Sequence, residues 1–91
     1  MRFARMLQKQ RRAKGLTQKE LGRRIALTTG TYISQMESGE KVPPMETTIK
    51  LAEALEMGDI DPLVFQAVKE RSKIEFNYLV KQANNKGSSA E

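Results

Sequence analysis

The stretch LTQKELGRRIALTTGTYISQMESG, residues 16–39, decides the fold. Thr17 can accept from the free amides of a helix start and Glu20 stands three residues on, so Thr17-Gln18-Lys19-Glu20 reads as a capping box. Leu21 and Ile25 then form an apolar i, i+4 pair. Ala26-Leu27-Thr28-Thr29-Gly30 reads as a turn, with Thr28 or Thr29 as the next cap. Thr31 to Ser38 is expected to be helical with Ile33 and Met36 facing inward, and Gly39 closes it as the residue past its end. The core of the chain is therefore two short helices joined by a turn.

Working outward, Phe3, Met6 or Leu7, and Gln10 or Arg11 recur at helical spacing, so a helix is expected from Arg2 to Lys14, with Gly15 as its stop. Downstream, Glu40 to Pro44 must be loop because two consecutive prolines cannot lie within a helix. Pro44 is the expected start of a fourth helix, whose stripe is Ile49, Ala52 and Leu51 or Leu55 and whose end is Met57-Gly58-Asp59. Asp61-Pro62 reads as a cap and a first-turn proline, giving a fifth helix from Pro62 to about Arg71. At 74, 76, 78 and 80 the apolar residues alternate, which fits a strand better than a helix; the alternative is that the fifth helix continues to about residue 82. A lone strand needs a partner, and a second copy of the chain is the obvious one. Residues 84–91 are small and polar and are expected to be disordered.

Composition narrows the function. The chain has 91 residues and no Cys, His or Trp, which excludes a disulfide framework, a thiolate zinc site and the commonest general base. The start of the chain has charges but no apolar run behind them, so a soluble, cytoplasmic protein is expected. Residues 1–24 hold nine cations and one anion, residues 25–91 seven cations and ten anions, for the overall +5. A basic segment on a near-neutral body points to a polyanionic partner or to a solvated helix face. No grouping resembles a nucleophile with its base, so no catalytic residue, cofactor or metal is expected. Glu56, Asp59 and Asp61 are better explained as helix stop and cap than as a cation site.

Two short helices joined by a turn inside a small all-α domain are a helix-turn-helix arrangement. Leu16-Thr17-Gln18-Lys19-Glu20-Leu21, then Tyr32-Ile33-Ser34-Gln35-Met36-Glu37-Ser38-Gly39, then Pro43 and Leu51-Ala52-Glu53-Ala54-Leu55, resemble the lambda-repressor-like (XRE, Cro/C1-type) helix-turn-helix family over residues 4–57. The resemblance implies an all-α, five-helix fold whose helix-turn-helix DNA-binding domain covers 1–58; outside the matched residues, the fifth helix and the strand candidate over 59–82 are the expected dimer contact, and 83–91 the expected disordered tail. It also implies that Gln18 touches a phosphate. Thr28, Thr29, Gly30, Thr31, Tyr32, Ser34 and Gln35 fall at the recognition helix, and Ser38 and Lys41 fall where the following loop meets the DNA backbone. Arg11 and Glu37 match a pair that forms an internal ion bridge in several members. Leu21, Ile25, Ile33, Met36, Ile49 and Leu55 are expected in the core.

The chemistry suits these roles. Gln pairs bidentately with adenine, the Thr methyl packs on that of thymine, and helix-start amides hold phosphates. Other readings stand beside them: Gln18 as a solvated helix residue, Thr28 or Thr29 as a cap alone, Tyr32 as partly buried against the second helix. Two departures bear on the site. Leu21 to Tyr32 spans eleven positions where the family commonly has ten, so either the turn is longer or the second helix runs further. Gly30 stands where a base-reading side chain is common; it either lets backbone approach closely or forms the turn. The expected function is a sequence-specific transcriptional regulator, a repressor binding an inverted repeat of double-stranded DNA as a homodimer. The alternative is an antitoxin that also neutralises a protein partner through residues 62–91.

Overall fold

The computed structural model describes the backbone of residues 2–27 and 29–90, and the side chains of these through residue 83. Five helices follow in order: α1 (Arg2–Ala13), α2 (Gln18–Arg24), α3 (Thr31–Glu37), α4 (Met45–Ala54) and α5 (Asp61–Ala90). The fold is all-α and lambda-repressor-like, with no strand among the described residues. None of these helices is long and apolar enough to cross a membrane.

Helix ends explain how so short a chain turns so often. Gly15 adopts φ +68°, and the Gly15 and Leu16 amides donate to the Arg12 and Arg11 carbonyls, a Schellman stop. The same pattern ends α2 at Ala26 and α4 at Glu56, both in the left-handed region, where a side chain is strained. α4 therefore stops before Met57-Gly58, its expected end, with Glu56 in the place a glycine would favour. Pro44 is the N-cap of α4 and not its first residue; its carbonyl accepts from the Thr48 amide and hydroxyl, each at 3.0 Å.

Phe3, Leu7, Leu16, Leu21, Ile33, Met36, Val42, Leu51, Ala52, Leu55, Leu63 and Ala67 make one core. Ile25 packs partly against it. Ile49 does not join it: the buried stripe of α4 is Thr48, Leu51, Ala52 and Leu55, and Ile49 is half-buried beside it. The Thr48 hydroxyl tolerates full burial because it donates to the Pro44 carbonyl. α5 enters the core through Leu63 and Ala67. Its Glu70 carboxylate accepts from the Phe3 amide at 2.8 Å, satisfying a free donor at the start of α1. Arg71 donates to the Val42 carbonyl at 2.8 Å.

The strand expected over 74–80 is a helix, and the helix expected to end near Arg71 continues. The alternation of Ile74, Phe76, Tyr78 and Val80 does not mark a strand, because none of these residues is buried. Every side chain from 71 to 83 is exposed, so the period of burial that separates strand from helix is not expressed there. Residues 84–90, expected to be disordered, continue the backbone of α5, while their side chains and residue 91 lie outside the described residues.

Candidate nucleic-acid interface

The capping box forms as the sequence predicts. The Thr17 Oγ1 accepts from the Glu20 amide and the Glu20 carboxylate from the Thr17 amide, both at 3.0 Å. These bonds hold the Glu20 carboxyl below the usual carboxylate range, chiefly through the backbone hydrogen bond from Thr17. α2 is seven residues long, so the additional position before Tyr32 lies in the turn, which runs from residue 25 to 30. This settles the two alternatives for the eleven-residue spacing in favour of a longer turn.

Two glycines seat that turn. A Cβ on Gly22 would lie 2.6 Å from the Thr29 carbonyl oxygen, so the turn is folded back onto α2 more closely than any side chain allows. A Cβ on Gly30 would lie 2.9 Å from the Lys19 nitrogen and 3.1 Å from the Gln18 carbonyl carbon. Gly30 thus brings the start of α3 against the first turn of α2; the close approach it permits is between two helices. Gly30, and not Thr29, is the N-cap of α3, and it supplies no side-chain cap. Thr29 accepts from the Thr31 amide at 3.4 Å, and Thr28 lies outside the described residues.

Behind the site lies the ion bridge. Arg11 Nε and Nη2 reach the two oxygens of Glu37 at 2.6 and 3.0 Å, with side chains only 11% and 3% exposed. Nη1 donates to the Leu16 carbonyl at 2.8 Å. The Glu37 hydrogen bonds push the Arg11 pKa up further, against the opposing effect of burial. Gln18 Nε2 also donates to Glu37, at 3.3 Å. Gln18 is therefore not merely solvated: its amide nitrogen is held by α3. The bridge ties α1, the start of α2 and the end of α3 together, and it removes Arg11 from the charge available to a partner.

On α3, Thr31 and Ser34 are exposed and Gln35 is half-buried, on the side opposite the buried Ile33 and Met36. Tyr32 is half-buried and packs on the core; it shares a groove with Lys41, Arg71 and Ile74, so its neighbours lie on α5 and not only on α2. The Gln35 carbonyl accepts from the Ser38 hydroxyl at 3.0 Å and the Lys41 amide at 3.2 Å. These bonds set the loop after α3, where Ser38 and Lys41 are exposed. Thr31, Ser34, Gln35, Ser38 and Lys41 thus come from one helix and the loop that leaves it, with Gln18 alongside at the far end of the Glu37 bond.

Gly22 escapes a reading of the motif by itself. Its signal is a glycine inside a seven-residue helix, where alanine would be better by about 1 kcal/mol. Glu70 and Arg71 leave no comparable signal, because their roles depend on partners far away in the chain. Among the described residues no group of three acidic side chains could hold a metal ion, and the Asp59 carboxylate accepts from the Asp61 amide at 3.1 Å.

No curated protein and no solved structure matches the chain. The profile of the Helix-turn-helix family matches residues 7–63, from α1 into the first turn of α5, and with more than half of its length matched this protein belongs to that lambda-repressor-like family of DNA-binding transcriptional regulators.

Proposed function

We propose that the protein is a sequence-specific repressor of transcription that binds an inverted repeat as a homodimer, with α3 in the major groove. The observation that carries this reading is the exposed side of α3. Thr31, Ser34 and Gln35 present hydroxyls, a methyl and an amide on a helix held rigidly by the Arg11–Glu37 bridge and by Gly22 and Gly30. Ser38, Lys41 and Gln18 supply the adjacent backbone contacts. Lys19 is exposed beside Gln18 and adds a cation to that side.

The dimer contact is the outer part of α5. Ile74, Phe76, Tyr78 and Leu79 are 50–65% exposed, a concentration of apolar surface that a monomer does not keep without use. Over residues 72–83 the charges are Lys73, Glu75 and Lys81, so two copies meet with little repulsion. Unsupported helix of this kind is marginal in water, and pairing with a second copy is what holds it. The protein acts where chromosomal DNA lies, in the cytoplasm.

Selection of bound sequences from a random duplex pool at about 0.15 M salt tests the reading. Enrichment of an inverted repeat with half-sites about one helical turn apart is the expected result. Gln35→Ala should then lower affinity for that repeat by about 1–3 kcal/mol per half-site while leaving random DNA unaffected. An equal loss on both DNAs removes the base-reading role. Absence of enrichment, together with a protein partner that binds residues 62–91, favours the antitoxin reading.

A further inference from the structure

α1 carries five cations and no anion. One of them, Arg11, points inward to Glu37. The other four, Arg2, Arg5, Lys9 and Arg12, are all exposed. Their spacing of three, four and three residues places them on a single stripe. The buried Phe3, Ala4 and Leu7 occupy the opposite side of the helix. At 1.5 Å per residue the stripe is about 15 Å long. At its start it passes onto α5, where Arg2, Lys69 and Lys73 line one open groove. Glu70 also lines that groove, but its Oε2 is engaged by the Phe3 amide and by Gln66 Nε2. The ion pairs among the described residues are made by Arg11, Arg24 and Arg71, so no cation of this band is in one.

The arrangement works against the helix that bears it. Like charges at i, i+3 and i, i+4 repel, and Arg2 and Arg5 stand at the positive end of the helix dipole. Solubility alone is served by mixed signs, and the ten anions of residues 25–91 show that the chain has acids to mix. The band becomes favourable when a polyanion covers it. A duplex segment as long as the α1 stripe carries about nine phosphate charges. α3 packs on the inner side of α1, whereas the stripe occupies the outer side. Thr31, Ser34 and Gln35 lie opposite Ile33 and Met36 on α3, and the stripe lies opposite Phe3, Ala4 and Leu7 on α1, so each surface faces away from the core.

We propose that this band binds the phosphate backbone of a second DNA segment, so that a protomer docked through α3 also holds a neighbouring duplex. The inference rests on the proposed reading of α3 only in taking DNA as the polyanion. It is tested on the full chain carrying Arg2→Gln, Arg5→Gln, Lys9→Gln and Arg12→Gln together. Two measurements are made: binding to one short duplex holding the selected repeat, and capture of a free labelled duplex by a bead-tethered duplex. Random-sequence duplex replaces the repeat if the selection yields none.

The variant is expected to bind the single short duplex with unchanged affinity and salt slope. It should lose at least tenfold in capture of the second duplex. Native capture should fall steeply with salt, by about 0.9 in log–log slope for each phosphate contact. Capture that survives the four substitutions overturns the proposal. So does a parallel loss of affinity and slope on the single duplex, which places the band on the same DNA as α3. Binding of the native chain to phosphatidylserine vesicles with no duplex capture assigns the band to a membrane surface and also overturns it. Failure of the α3 reading shows differently, as no enriched sequence and no effect of Gln35→Ala. Relief of like-charge repulsion should leave the variant folded by circular dichroism; if it does not, Arg5→Gln with Lys9→Gln carries the same test.

Discussion

The helices within residues 2–70 and the continuation of α5 over residues 71–83 stand on different grounds. In the first region each helix is tied to another by something only that pairing supplies. Glu70 receives an α1 amide, Glu37 holds Arg11 and Gln18, and Gly22 and Gly30 admit backbone where no side chain fits. In the second region α5 meets the rest of the domain only at its start, where Arg71 donates to the Val42 carbonyl and Ile74 shares a groove with Tyr32, and its Phe76, Tyr78 and Leu79 stay more than 60% exposed. Burial therefore specifies the first region, and the second keeps its apolar residues exposed. Local pattern is enough to place a helix where packing then reads the pattern; it is not enough where nothing packs.

This contrast can be broken from either side. The largest effect is expected from Glu37→Ala, which leaves Arg11 buried without its partner and should cost about 3–5 kcal/mol in urea unfolding. Glu37→Gln, which keeps a hydrogen-bond acceptor, should cost less. Gly22→Ala should cost about 1–3 kcal/mol, because the Thr29 carbonyl must move. It should also weaken repeat binding beyond the loss of folded protein, since the turn that seats α3 shifts; if affinity of the folded fraction is unchanged, the glycine has only a packing role. In the outer region, Phe76→Ser with Leu79→Ser should leave the domain's own stability nearly unchanged and abolish self-association in sedimentation. A dimer that survives places the contact elsewhere.

Smaller effects sharpen the account of the turns. Ala26→Gly relieves a left-handed residue at the end of α2 and should stabilise by about 1 kcal/mol, raising Tm by about 4–8 °C in a domain of this size. Glu20 provides the smallest effect, read against pH. Its folded pKa is lower than its unfolded one, so its contribution is present above the ordinary carboxylate value and is lost as pH falls through the folded value. Glu20→Gln should remove that part of the acid dependence, and urea midpoints measured across the acid range will show whether it does.

The motif itself was legible. The capping box, the stops at Gly15 and Gly39, the inward Ile33 and Met36 and the Arg11–Glu37 bridge all stand where the residues suggested. Each depends on neighbours a few residues apart or on a pattern peculiar to the family. The misreadings share a different property. Ile49 loses its place to Thr48 because a hydroxyl can be satisfied by its own helix start. Helix α4 ends early because Glu56 takes a conformation usually left to glycine. The strand at 74–80 was read from an alternation that no packing surface enforces. The longer turn was visible as a count of eleven, but where the extra residue goes was not.

Composition and local spacing alone settle that this chain lacks thiol and imidazole chemistry, carries a basic first segment and has two short helices joined by a turn, in the family's order. Those properties follow from residue type and from interactions within a turn of helix, which any stretch of chain carries with it. The seat of α3 against α2, the removal of Arg11 from the exposed charge, the anchoring of α1 by Glu70 and the extension of α5 past the core are matters of tertiary structure. Each depends on groups brought together from far apart, and only the packed chain decides whether a glycine is a turn or a point of contact, or whether an arginine faces water or a carboxylate.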